Sequence, residues 1–149
     1  MEMNVFDFIA QLEKDLADHY IRLKSTARFR ESHSVFDFMN SHSRGHAETV
    51  ETMREKHAKP HLDNSFYLHV SKQIQDSLTR EIAEAKRASE AFDVLARAEE
   101  LVGKMYIILS NHYKELGDFY HSISEDISQL AEEEFNHRDI LKKEKTKYI

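Results

Sequence analysis

Cysteine and tryptophan are absent from this 149-residue chain, which contains only one proline and three glycines. The lack of cysteine excludes disulfides, thiolate zinc sites, iron–sulfur clusters and thiol catalysis, and is consistent with the cytoplasmic location that we expect. A metal site in this protein must therefore use His, Asp or Glu ligands. The scarcity of turn-forming residues disfavours an all-β fold and favours long helices, so we expect an all-α protein.

Long apolar runs are also missing. The longest, Met105–Leu109, is far shorter than the ~20 residues that span a bilayer, and the acidic N-terminus does not resemble a signal peptide, so we expect no membrane partner. The net charge of −6, from 21 basic and 27 acidic residues, gives no reason to expect nucleic-acid binding. A chain of this size can bury roughly 68–70% of its unfolded surface, which predicts a single domain over residues 1–149.

Four segments carry apolar residues at alternating steps of three and four, which predicts four amphipathic helices. The four stripes are Phe6, Ile9, Glu13, Leu16, Tyr20, Leu23 and Ala27; Phe36, Met39, Ser43, His46, Val50, Met53 and His57; Phe92, Leu95, Glu99, Val102, Tyr106, Leu109, Tyr113 and Leu116; and Ile123, Ile127, Leu130, Glu134, His137 and Leu141. Each stripe is interrupted near its middle by a polar or ionisable residue. These interruptions are the candidate functional residues.

The sequence also predicts where the helices end. Pro60 should terminate the second helix, because proline cannot continue it. Gly117 should form a left-handed cap after the third helix, and Ser122 with Glu125 matches a capping box that would open the fourth.

Short connections join the first stripe to the second and the third to the fourth, which predicts two antiparallel hairpins. Residues 61–88 must then form a long crossover. Apolar spacing at Phe66 or Tyr67, Val70, Ile74, Leu78 and Ile82 predicts an accessory helix within it.

The two hairpins resemble an internal repeat. Glu13 precedes Tyr20 by seven residues, as Glu99 precedes Tyr106, and the Ser43/His46 pair of the second stripe aligns with Glu134/His137 of the fourth. The repeat differs in chemistry where Ser43 replaces a glutamate.

Buried carboxylates cost several kcal/mol each unless they are protonated, paired or bound to a cation. No lysine or arginine occupies a stripe position. The mid-levels of antiparallel helices coincide, so three carboxylates and two imidazoles should converge. A divalent metal would neutralise them, and Glu-x-x-His places an oxygen and a nitrogen ligand on adjacent turns.

At these residues the chain resembles the ferritin-like diiron-carboxylate proteins, and in particular the rubrerythrin-type branch without a rubredoxin module. The similar stretches are Leu12–Asp15 with His19 and Tyr20, Glu99–Tyr106, and Ala131–His137. The resemblance implies a ferritin-like antiparallel four-helix bundle in which Glu13 and Glu99 are terminal ligands and Glu134 is a bridging ligand. It implies that His46 and His137 are nitrogen ligands and that Tyr20 and Tyr106 are hydrogen-bond donors around the site.

Ser43 departs from the family pattern, because the second bridging glutamate belongs there. Three carboxylates leave one positive charge on two divalent ions, so a one-metal site is an alternative. His42 borders the same face and is a further candidate ligand.

The resemblance implies a di-iron or di-manganese oxidoreductase that reacts with peroxide or dioxygen and draws electrons from an unidentified donor. Zinc is an alternative metal, and a homodimer is expected. The competing hypothesis from another class is a bundle that has lost metal chemistry and acts in protein interaction or small-molecule binding. A hemerythrin-like site is disfavoured, because the further His and Asp spacings do not follow.

Overall fold

The computed structural model describes residues 2–57, 61–63 and 65–148. Its helices are α1 (Val5–Lys24), α2 (His33–Lys56), α3 (Ser65–Glu84), α4 (Ala88–Glu115) and α5 (His121–Lys145). Short 3-10 segments occupy Ala27–Ser32, Asp118–Tyr120 and Thr146–Tyr148. The predicted helical fold class is confirmed, because helices account for most of the described residues. The chain forms two compact units, which divide between Ala88 and Ser89, and a single domain over residues 1–149 stays a prediction.

A pair of very short strands is the exception to the helical pattern. Strand β1 (Glu2–Asn4) runs antiparallel to β2 (His61–Asp63), with Met3 opposite Leu62. No alternating pattern in the sequence indicates this pairing, because three residues are too few to establish a period of two. Asn4 then caps α1, since its side-chain oxygen accepts a hydrogen bond from the Phe6 amide at 2.9 Å.

The first unit contains the antiparallel pair α1 and α2. Ion pairs join the two helices at both ends, from Arg54 to Asp7 at 2.9 Å and from Lys24 to Asp37 at 2.6 Å. Between them, the Asn40 amide donates to the carbonyl of Ala17 at 2.8 Å. This hairpin was predicted from the short connection, and the structure confirms it.

Helix α3 is the accessory helix predicted within the crossover. Its buried face includes Tyr67 and Ile74, whereas Phe66 is 63% exposed, so Tyr67 is the residue that faces the core. The Tyr67 ring contacts Phe8 of α1, and Gln75 donates to Asp15 of α1 at 3.3 Å. Helix α3 therefore packs along α1 within the first unit.

The second unit contains the antiparallel pair α4 and α5, which was also predicted. Lys145 pairs with Asp93 at 2.7 Å near one end. At the other end, the hydroxyl of Ser110 donates to the carbonyl of Ser124 at 2.7 Å, and both side chains are buried.

Helices α2 and α4 end close to the positions predicted from the sequence. Helix α2 ends at Lys56, and its predicted terminator, Pro60, lies outside the described residues. Gly117 has the positive φ predicted for it, 108°, but its ψ of −178° is extended rather than left-handed helical. Leu116, assigned to the third stripe, lies beyond the end of α4 and is 53% exposed.

The predicted capping box was wrong. Helix α5 begins at His121 and no side chain caps it, because the 3-10 segment before it leads directly into the helix. Ser122 is therefore already inside the helix. The Glu125 carboxylate instead lies 3.0 Å from the imidazole of His121, which is one turn earlier on α5.

Candidate metal centre

The first candidate cluster lies in the α1–α2 pair and consists of Glu13, Ser43 and His46. All three side chains are buried: Glu13 is 0% exposed, Ser43 1% and His46 7%. Nδ1 of His46 lies 3.6 Å from Oε2 of Glu13. Since 43 and 46 are one helical turn apart, the Ser43 hydroxyl and the imidazole lie on the same buried face of α2.

The second candidate cluster lies in the α4–α5 pair and consists of Glu99, Glu134 and His137. These side chains are 1%, 0% and 3% exposed. Nδ1 of His137 lies 3.8 Å from Oε2 of Glu99 and 3.9 Å from Oε2 of Glu134. Two carboxylates on different helices thus approach the same imidazole nitrogen.

A glycine determines how closely α4 and α5 approach beside the second cluster. A Cβ atom at Gly103 would lie 2.8 Å from Cε1 of the Phe135 ring, which is closer than real contacts permit. Gly103 is one turn after Glu99, and Phe135 follows Glu134. Gly103 was not among the site residues predicted from the sequence. The available signal was a glycine inside a helix, where it costs about 1 kcal/mol relative to alanine and so indicates close packing.

Charged contacts hold the same region from the solvent side. Arg138 lies 3.3 Å from Glu100 of α4, and its guanidinium lies 5.1 Å from the centre of the Phe135 ring. The hydrogen bond from Arg138 to Asp139, with help from Glu100, raises the pKa of the guanidinium further above its ordinary value. Arg138 therefore stays charged and links α5 to α4 next to His137.

The distances within both clusters are close to those of ligands that share a cation. Oxygen and nitrogen ligands lie about 2.0–2.2 Å from a transition metal, so two ligands on one ion are about 3.0–3.4 Å apart. The observed separations of 3.6, 3.8 and 3.9 Å exceed this by a few tenths of an ångström. Small side-chain rotations would bring either cluster to ligand spacing.

The charge of the buried residues also favours a cation. Where the structure describes side-chain burial, the buried residues include three carboxylates and two imidazoles but no lysine or arginine. Burying each carboxylate costs several kcal/mol unless a proton, a partner or a cation offsets it. The residues present thus fit a divalent metal with oxygen and nitrogen ligands.

Tyr20 and Tyr106 are on the predicted buried faces. Tyr20 is 1% exposed and Tyr106 is 0% exposed, each two turns after the glutamate of its own helix. A buried phenol usually has a hydrogen-bond partner, so the donor role of both tyrosines stays a prediction.

His42 is placed differently from the other candidates. It is exposed, and its ring lies 4.0 Å from the ring of Phe38, one turn earlier on α2. The buried face of α2 follows positions 39, 43, 46 and 50, and His42 is on its solvent side. The structure thus brings Glu13 together with His46, and Glu99 with Glu134 and His137, and it leaves His42 at the surface.

Two shifted pKa values occur outside the clusters. Burial, reinforced by the Arg22 guanidinium, lowers the pKa of His19 below 6.5, although Asp15 and Asp18 oppose the change. Burial raises the pKa of the Tyr67 phenol above 10.0.

Comparison of the chain with protein-family models, curated proteins and solved structures finds no match. Among the residues that the structure describes, no helix combines the length and apolar character needed to cross a membrane.

Proposed function

We propose that this protein is a non-haem metal-carboxylate oxidoreductase of the ferritin-like, rubrerythrin type. It would hold two iron or manganese ions and react with peroxide or dioxygen. One observation carries the proposal: in each antiparallel helix pair, a fully buried glutamate on one helix lies less than 4 Å from a buried imidazole on the other. The ferritin-like antiparallel four-helix bundle expected from the sequence is part of the proposal.

The second cluster would hold one cation through Glu99, Glu134 and His137. The first cluster would hold the other through Glu13 and His46. When bound, the metal supplies one-electron redox chemistry toward the oxidant, and carboxylate ligands stabilise its higher charge. The phenols of Tyr20 and Tyr106 would donate hydrogen bonds that orient the carboxylates, and the electrons would come from an unidentified donor.

Anaerobic equilibrium dialysis against Fe(II) tests the proposal. We expect between one and two Fe(II) per chain in the wild type. Glu134→Ala or His137→Ala should remove most of the bound iron, because each change deletes a ligand. Glu132→Ala is the matched control, since Glu132 is an exposed glutamate on the same helix. Equal losses from the Glu132 and Glu134 variants, or wild-type binding no higher than background, would refute the metal site.

The redox step requires its own measurement. Anaerobic Fe(II)-loaded protein should consume peroxide or dioxygen as its iron is oxidised, and the rate should exceed that of free Fe(II) at the same concentration. Iron that binds but oxidises no faster than free Fe(II) would leave a metal protein without the proposed activity.

Buried Ser43 favours the second candidate function, a helical bundle that has lost metal chemistry and binds a protein or small molecule. A hydroxyl in this position supplies no charge to a cation. Under this alternative, the protein remains helical but binds no Fe(II) in the dialysis experiment.

A further inference from the structure

We propose that the first cluster binds its cation together with one small exogenous carboxylate, with formate as the best-fitting size. The carboxylate would occupy the space between Ser43 and the cation, where a glutamate side chain would otherwise reach. This inference rests on the proposed function, since it concerns the same ligands.

The buried carboxylates fall one negative charge short of two divalent ions. Glu13, Glu99 and Glu134 supply three negative charges, so the two ions together would retain one positive charge. The repeat places the missing fourth carboxylate at Ser43, beside Glu13. Because Ser43 is 1% exposed and Glu13 is 0% exposed, bulk water offsets that charge poorly. A bound monoanion would restore neutrality.

The size of the missing group follows from the second cluster. Glu134 and His137 have the same three-residue spacing as Ser43 and His46, and Oε2 of Glu134 lies 3.9 Å from Nδ1 of His137. A glutamate at that helix position therefore reaches its imidazole. Compared with glutamate, serine keeps Cβ and has Oγ in place of Cγ. The group that serine lacks is therefore the carboxyl group.

This geometry predicts a carboxylate selectivity. We expect formate to bind beyond Oγ, where it would accept a hydrogen bond from the Ser43 hydroxyl. The methyl group of acetate would compete with Oγ for the same space. Removing Oγ in Ser43→Ala should therefore increase the effect of acetate on metal affinity relative to the effect of formate.

The test is anaerobic Co(II) binding to the full-length chain, measured by equilibrium dialysis and by the visible absorption of bound Co(II). Formate replaces perchlorate in equal amounts, so that the ionic strength stays constant. We expect one tightly bound ion in perchlorate. Formate should raise the affinity for a second ion by about tenfold or more, which is the change in metal affinity that typically follows the loss of a residue supporting a metal ligand.

Variants at position 43 separate the effect of the carboxylate charge from the effect of filling the space beside the cation. Ser43→Glu should bind the second ion tightly without formate and should not respond to it, because the carboxylate is built in. Ser43→Gln fills the space without adding charge, so its second ion should bind weakly with or without formate. Ser43→Ala should still respond to formate and should respond more strongly to acetate than the wild type does. Metal-free circular dichroism checks the fold of each variant, and the Gln and Ala variants keep the test decisive if Ser43→Glu unfolds.

The outcomes distinguish this inference from the proposed function. Failure of the wild type to bind Co(II) would overturn both. One bound ion that depends on Glu134, with no formate effect on a second ion, would overturn only the inference. Two equally tight ions in perchlorate would overturn it as well. An undiminished formate response in Ser43→Glu would place the carboxylate elsewhere and would also overturn it.

Discussion

Glu99 is a glutamate on the buried face of α4, where the other contacts are mainly apolar, and its side chain is 1% exposed. The imidazole of His137 on α5 lies 3.8 Å from the Glu99 carboxylate, and Glu134 lies 3.9 Å from the same imidazole nitrogen. Two carboxylates are therefore buried beside a single imidazole, an arrangement that costs stability unless a cation offsets the carboxylate charge. The second cluster should therefore favour metal binding at the expense of metal-free stability.

The first prediction at the residue scale is that Glu99→Gln raises the stability of the metal-free protein and lowers its metal affinity. The amide keeps the shape and removes the charge. In EDTA we expect a gain of roughly 1 kcal/mol or more in the free energy of unfolding, which is about 2–4 °C in Tm for a chain of this size. Differential scanning calorimetry with EDTA and with Mn(II) measures both effects.

Glu100→Gln is the matched control, because Glu100 is the next residue and forms a partly exposed ion pair with Arg138. Its effect should be small and independent of metal. If Glu99→Gln destabilises the metal-free protein as much as it destabilises the Mn(II)-bound protein, Glu99 is a structural hydrogen-bonding residue and not a metal ligand.

At the scale of elements, the α4–α5 contact positions the ligands of the second cluster. Gly103 allows the Phe135 ring to lie directly on the α4 backbone, and Phe135 is the residue after Glu134. The distances from His137 to the two carboxylates thus depend on a contact that contains no ionisable group. Helix packing of this kind carries the precision that a metal site needs.

Gly103→Ala should therefore weaken metal binding more than it changes the fold. The added methyl group overlaps Phe135, and overpacking costs typically about 1–3 kcal/mol, while the better helix propensity of alanine returns about 1 kcal/mol. We expect a small loss of Tm in EDTA and a loss of Co(II) affinity of about tenfold. Equilibrium dialysis and calorimetry on the same preparation give the two quantities.

Gly45 provides the control for helix propensity, because a Cβ there would meet nothing within 4 Å. Gly45→Ala should stabilise α2 slightly and leave Co(II) affinity unchanged. Equal effects of the two alanine substitutions on metal affinity would show that close packing at Gly103 does not position the ligands.

At the scale of the whole molecule, His19 contributes to the pH dependence of stability. Its pKa is lowered in the folded protein by burial and by Arg22, so the unfolded chain binds its proton more readily. Stability is therefore lost as pH falls through the unfolded pKa of about 6.5, and this contribution vanishes at higher pH.

His19→Gln should reduce the loss of unfolding free energy between about pH 7 and pH 5. Urea denaturation in EDTA across this range measures the slope. His69→Gln is the control for removing one imidazole, since His69 is exposed on α3. A slope identical in wild type and His19→Gln would contradict the assignment.

The helices and their buried faces could be predicted from the sequence, because helical periodicity is a local property. Glu13, Glu99 and His137 interrupt apolar stripes in the printed sequence, and the structure buries all three. The Glu-x-x-His spacing likewise follows from helix geometry alone. These residues were therefore identifiable before any tertiary contact was known.

The tertiary structure decided what depends on residues far apart in the chain. It paired β1 with β2 across more than fifty residues, placed the start of α5 at His121 and set Phe135 against Gly103. It also placed His42 beside Phe38 at the surface, although the sequence put it on the border of the buried face. The physical reason is that helical periodicity is set by neighbours within a few turns of the backbone, whereas helix ends, strand pairing and ligand distances depend on packing between segments that local patterns do not encode.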